Sequence, residues 1–110
     1  MRTVGVVVGL LMSSAAMAAN IPLSGVYASD VRDCGNSGPL YGIVLASDAL
    51  EQSEMYCPRR EWHAVGTSYR SLCAQEGSKP YTLTFSLTPQ PDGSLLYAEK
   101  GYSVALRRCE

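Results

Sequence analysis

Hydrophobic and polar positions alternate most clearly in the last third of the chain. Leu83, Phe85 and Leu87 are interleaved with Thr82, Thr84, Ser86 and Thr88, the period of two that gives a strand one apolar face. Pro89-Gln90-Pro91-Asp92-Gly93 follows. Proline fixes φ, Asp supplies a side-chain acceptor and Gly accepts positive φ, so the segment predicts a hairpin loop. Gly93 to Ala98 resumes an extended apolar run, Glu99-Lys100-Gly101 turns the chain, and Tyr102, Val104 and Leu106 alternate toward the C-terminus. Three consecutive antiparallel strands are predicted.

The first half is less regular. Ser24 to Ala28 and Tyr41 to Ala46 are short β-rich runs on either side of a Gly/Asn/Ser/Pro loop, Gly35 to Pro39. Ser47 to Tyr56 carries two patterns. Asp48 with Glu51 three residues on has the form of a helix cap, with Pro58 as a stop; alternatively Leu50 to Tyr56 is a strand, paired with Tyr41 to Ala46 across Ser47-Asp48-Ala49. The all-β context favours the strand. Trp62 to Leu72 is strand-like with a bend at Gly66, and Gly77-Ser78-Lys79-Pro80 is a loop. Seven or eight short strands with turn signals roughly every ten residues predict an all-β fold, either a barrel or a sandwich. A small antiparallel meander barrel is expected, because closure removes edge strands.

The N-terminus has a different character. Arg2 precedes a nearly unbroken apolar stretch from Val4 to Met12, and Ala16-Met17-Ala18 matches a small-residue cleavage pattern. This is the layout of a cleaved secretory signal over residues 1–18, leaving 19–110 as one domain. The apolar run falls short of the roughly 20 residues that span a bilayer, and the first cysteine, Cys34, lies far beyond any lipoprotein cleavage point. Periplasmic or secreted localisation without stable membrane insertion is expected.

Export changes the meaning of the cysteines. Cys34, Cys57, Cys73 and Cys109 all follow the signal, and an even count in an exported chain predicts two disulfides. A zinc site would need other spacings: the chain has no C-x-x-C pair and one histidine, His63. No metal or cofactor is predicted. Three pairings are open. The expected hairpin brings Cys57 near the end of the first strand, favouring Cys34 with Cys57 and, by elimination, Cys73 with Cys109, although a strict eight-strand meander would place that second pair at opposite ends. Removing Arg2 with the signal leaves eight basic against ten acidic side chains. Such a surface has no basic surplus for nucleic acid.

The opening Gly25-Val26-Tyr27 and the closing Tyr102-Ser103-Val104-Ala105-Leu106-Arg107-Arg108-Cys109 together resemble the lipocalin-like (calycin) pattern. In that pattern an aromatic residue of the first strand packs against a basic side chain from the last. The resemblance implies that Tyr27 takes the aromatic place with Arg107 or Arg108 over its ring. It extends along most of the part after the signal, to short exported bacterial proteins with a cysteine after the first strand and another closing the last.

Candidate chemistry is sparse. Ser68 and Ser71 are the serines nearest His63, and neither lies in a G-x-S-x-G elbow; phosphate-binding glycine loops are also missing. A non-enzymatic role is expected. Cys57-Pro58-Arg59-Arg60-Glu61-Trp62-His63 gathers the single tryptophan, the single histidine and two arginines, and Trp and Arg dominate protein-contact hot spots. Arg59, Arg60, Trp62 and His63 are therefore partner-binding candidates; the competing reading makes Trp62 core and the charges the solvated face of a bend. Tyr41, Tyr56, Tyr69, Tyr81, Tyr97 and Tyr102 either line a polar-rimmed mouth or are half-buried strand residues. The leading expectation is an exported, inhibitor-like binder of a protein partner. Alternatives are a carrier of a small apolar ligand and a structural accessory of the cell envelope.

Overall fold

The computed structural model describes residues 25–35 and 39–110; the expected signal at 1–18, Ser24 and the interior of the first loop lie outside them. The strands are β1 (Tyr27–Ala28), β2 (Val44–Leu45), β3 (Ala49–Gln52), β4 (Met55–Pro58), β5 (Trp62–Val65), β6 (Ser68–Gln75), β7 (Tyr81–Pro89), β8 (Leu95–Glu99) and β9 (Tyr102–Arg108). Short 3-10 turns occupy Val31–Asp33 and Arg59–Glu61.

Every pairing is antiparallel, and β9 returns to β1 with Tyr27 opposite Arg108. β4 and β5 share one edge of β6. Tyr56 faces Ala74 and Trp62 faces Ser71, so six steps along β4 and β5 match three along β6. The surplus is a three-residue insertion, Arg59–Glu61. Counted as one interrupted stave, β4 and β5 complete a closed eight-stranded antiparallel meander barrel, as expected.

Alternation directs one face of each strand inward. The interior is filled by Ile43, Leu45, Leu50, Met55, Tyr69, Phe85, Leu87, Leu95, Tyr97 and Leu106, with both sulfurs of one disulfide beside them. A run of ring contacts threads this core. Trp62 meets Phe85 edge-on at 5.0 Å, Phe85 stacks on Tyr97 at 5.8 Å, and Tyr97 meets Tyr102 at 6.4 Å. Each such contact adds about 0.5–1.5 kcal/mol beyond area burial.

The strand reading of residues 47–56 holds, but the run is two strands. Gln52 faces Met55 across a two-residue turn, Ser53-Glu54, in which Glu54 has φ 66°. Positive φ is the signature of tight hairpin turns and normally selects Gly or Asn, so this turn carried no compositional signal. Gly66, expected as a bend, forms the tight β5–β6 turn.

The disulfides are Cys34–Cys109 and Cys57–Cys73, which corrects the favoured pairing. Barrel closure puts the end of β9 beside β1, where the Cys109 N–H donates to the Val26 carbonyl at 2.7 Å. Cys34, just past the first 3-10 turn, is thus within reach of Cys109. The interrupted stave likewise sets Cys57 beside Cys73. The eight-strand meander holds, and the favoured pairing does not.

The expected cation over Tyr27 is also corrected. Arg108 faces Tyr27 in register, but its guanidinium lies against Gly25, where an added Cβ would meet it at 3.1 Å. Arg107 instead approaches Asp92 at 3.7 Å. Among the described residues, the guanidinium–ring contacts are Arg32 on Tyr41 and Arg59 on Trp62.

Candidate functional site

Two places gather chemistry-bearing side chains. The first is the insertion between β4 and β5. Proline at 58 leaves the strand at φ −67°, and the next three residues turn before Trp62 resumes pairing with β6. Its base is held from three directions. The Arg59 N–H donates to the Asp48 carbonyl at 2.7 Å, Cys57 is bonded to Cys73, and the Trp62 indole N–H donates to the Cys57 carbonyl at 3.1 Å.

The four candidates separate here. Trp62 turns inward, half-buried between Tyr69 and Phe85, and caps one end of the aromatic core. Arg59 is half-buried, its guanidinium 4.9 Å above the Trp62 ring. Arg60 and His63 are exposed. His63 sits on the outer face, opposite Arg70 of β6. Ser71 lies on the inner face, 1% exposed, with its hydroxyl donating to the Leu72 carbonyl. Adjacent strands therefore hold His63 and Ser71 on opposite faces of the sheet. The insertion displays Arg60 and His63 and uses Trp62 as its footing.

The second place is the barrel end that carries the β1–β2, β3–β4, β6–β7 and β8–β9 loops. An open cleft of about 410 Å³ lies there, walled by Leu40, Tyr41, Gln52, Ser53, Glu99 and Tyr102. Asp33 builds one wall. Its carboxylate is 3% exposed and accepts from the backbone N–H groups of Leu40 (2.8 Å), Tyr41 (3.1 Å) and Gly42 (3.0 Å). Gly42 is required by the same close packing: an added Cβ would lie 2.1 Å from the Ser29 hydroxyl, which itself accepts from the Ile43 N–H at 2.9 Å. Arg32 pairs with Asp30 at 2.7 Å and covers the Tyr41 ring at 3.8 Å.

Glu99 closes the opposite wall. It stands across the β8–β9 turn from Tyr102 and accepts a hydrogen bond from the hydroxyl of Tyr97, two residues back on the same face. Burial, then the bond to Glu99, raises the Tyr97 phenol above its ordinary range, and burial followed by the charge of Glu99 raises Tyr81. The tyrosines therefore divide. Tyr41 and Tyr102 are exposed on the cleft, Tyr97 and Tyr69 belong to the core, Tyr81 is half-buried, and Tyr56 lies on the outside of β4. Its place in Glu99-Lys100-Gly101 marks Glu99 as a turn residue, while alternation running on through β8 is the sign in the sequence that it faces inward. Among the described residues, no group of His, Cys, Asp and Glu is arranged to hold a metal ion.

No protein-family model, curated protein or solved structure matches this chain.

Proposed function

We propose that the chain is an exported, non-enzymatic, inhibitor-like module that meets a protein partner through the outer side of the Pro58–His63 segment. The carrying observation is the insertion with a fixed base: a stave interrupted by three residues yet secured by a disulfide, a backbone bond to Asp48 and the Trp62 footing. Such a loop loses little conformational entropy on binding, and arginine on its crest suits a contact hot spot. Placement of His63 and Ser71 on opposite faces supports a non-enzymatic reading.

Two disulfides suit a non-reducing environment, and the signal-like N-terminus supports the periplasm or the exterior. The closed eight-stranded meander is compatible with a lipocalin-like fold. Its interior, filled by aromatic and aliphatic side chains, supports protein contact over carriage of an apolar ligand inside the barrel.

The test begins with oxidised protein as bait in envelope extract, followed by titration against the purified binder. Because Trp62 is part of the core, its truncation would confuse unfolding with lost contact; the informative variants are Arg60→Glu and His63→Ala. Weakening of about tenfold or more with an unchanged melting temperature supports the site. Unaltered affinity in both variants rejects it, and failure to retain any protein counts for the structural-accessory reading over a protein binder.

A further inference from the structure

We propose that the cleft at the loop end of the barrel binds an alkylammonium group, with Glu99 as its counter-ion and Tyr102 as its aromatic wall. This site is separate from the insertion and does not depend on its having a partner.

Glu99 is half-buried and spends one oxygen on the Tyr97 hydroxyl, whereas an ionised carboxylate has about four acceptor positions. The phenols beside it bring no positive charge of their own, and the Arg32 guanidinium on the Tyr41 ring is paired with Asp30. Among the described residues, the ion pairs are Arg32 with Asp30 and Arg107 with Asp92, and Glu99 belongs to neither. Lys100, its neighbour in sequence, is exposed in the β8–β9 turn. A carboxylate in no ion pair among the described residues, beside the exposed ring of Tyr102, suits an organic cation, which gains from both the charge and the ring face.

The remaining walls match the rest of such a ligand. Leu40, 70% exposed, offers apolar surface to an alkyl stem, and Gln52 and Ser53 form a polar rim. The volume of about 410 Å³ lies in the range of small-ligand sites. The wall is also prepared in advance, since Asp33 fixes the backbone of Leu40, Tyr41 and Gly42, which lowers the ordering cost of binding. A carboxylate ligand would be repelled by Glu99, and an uncharged one would leave it uncompensated.

Amide chemical-shift titrations of the oxidised protein test the assignment. The probes are choline, its neutral isostere 3,3-dimethylbutan-1-ol, and Nα-acetyl-lysine methylamide, each at millimolar concentration. The expected result is saturable shifts at Leu40, Gln52, Glu99 and Tyr102 with an ammonium probe and none with the isostere. Glu99→Gln, which keeps an acceptor for Tyr97, should weaken binding by about tenfold or more. Tyr102→Ala, at a half-exposed position whose cost to the fold is its edge contact with Tyr97, should weaken it several-fold. Tighter binding of choline identifies a small free ammonium compound as the ligand type; tighter binding of the lysine derivative identifies a protein side chain. Absence of saturable shifts, equal shifts from the isostere, or shifts unchanged in both variants would overturn the proposal.

Discussion

Cys57 and Cys73 face one another across β4 and β6, one step beyond the pairs Met55–Gln75 and Tyr56–Ala74, with Cα atoms 4.3 Å apart. Immediately beyond them the register breaks into the three-residue insertion. The bridge therefore sits one step past the last regular rung, where it secures both the closure of the barrel and the root of the loop that displays Arg60.

The two disulfides should be separable by their loops. Cys57–Cys73 closes a sequence separation of 16 and Cys34–Cys109 one of 75, so the chain-entropy model assigns them roughly 3 and 4.5 kcal/mol. Urea unfolding of the Cys57→Ala/Cys73→Ala and Cys34→Ala/Cys109→Ala variants measures the sum of this term and the local packing loss. Hydrogen exchange locates each effect. The first variant should expose the Arg59 amide bonded to Asp48, and the second the Cys109 amide bonded to Val26. Coincident exchange patterns would refute separate roles for the bridges.

Asp33 should be among the costliest single losses. Its buried carboxylate satisfies three successive backbone donors, and charge-assisted bonds of this kind are worth more than neutral ones. Asp33→Ala should lower stability by about 2–4 kcal/mol, since it leaves those amides without their partner. Asn, which retains one acceptor oxygen, should recover part of this. A denaturation midpoint unchanged in the alanine variant would contradict the assignment.

These particulars show where sequence pattern carries structural information and where it stops. β7 to β9 were legible because alternation and turn chemistry coincide at Pro89–Gly93, where Asp92 accepts from the Ser94 N–H at 3.0 Å and Gly93 has φ 90°. The Ser53-Glu54 turn was illegible because an ordinary residue takes the positive φ. Periodicity cannot reveal that a strand continues along the same line after three inserted residues, and the Cys57–Cys73 pairing depends on that continuity. Asp33 acts seven to nine residues ahead of itself, beyond any local motif. Composition singled out the Trp62 segment, but only packing divides it into an inward Trp62 and outward Arg60 and His63.

The Asp30–Arg32 pair at the cleft end should be visible in acid. The hydrogen bond from the Arg32 side chain, followed by that from its backbone, holds Asp30 at about 2, below its ordinary 3.8. A carboxyl depressed in the folded state contributes stability that is present above its unfolded value and lost as pH falls through the folded one. The contribution should therefore fade between about pH 4 and pH 2. Arg32→Ala, which keeps the backbone N–H of residue 32, should move the carboxyl titration of Asp30 part of the way back toward its ordinary position in an NMR titration, and should make the acid limb of stability shallower. Arg32 is exposed and Asp30 only partly covered, so the energetic effect is small and screened by salt. A titration of Asp30 unmoved by the substitution would remove Arg32 as the cause.

Two core tyrosines should respond in opposite directions to removal of the same atom. The Tyr69 hydroxyl is buried without a hydrogen-bond partner among the described residues, while its ring lies 5.2 Å from Trp62 and 5.7 Å from Phe85. The Tyr97 hydroxyl is directed to the carboxylate of Glu99. Burying a partnerless polar group costs about 1–3 kcal/mol, and a bond to a charged group is worth about 1.5–3. Tyr69→Phe keeps the ring contacts and discards the cost, so it should leave stability unchanged or raise it by up to about 1 kcal/mol. Tyr97→Phe keeps the ring stack on Phe85 but strips Glu99 of a donor, so it should lower stability by about 1–2 kcal/mol. Pairing it with Glu99→Ala, which removes the acceptor, in a double-mutant cycle isolates that bond, because the second substitution should cost less once the hydroxyl is gone. Additive losses across the cycle would show that Tyr97 and Glu99 act independently, and the cleft would then lose its anchor to the aromatic core.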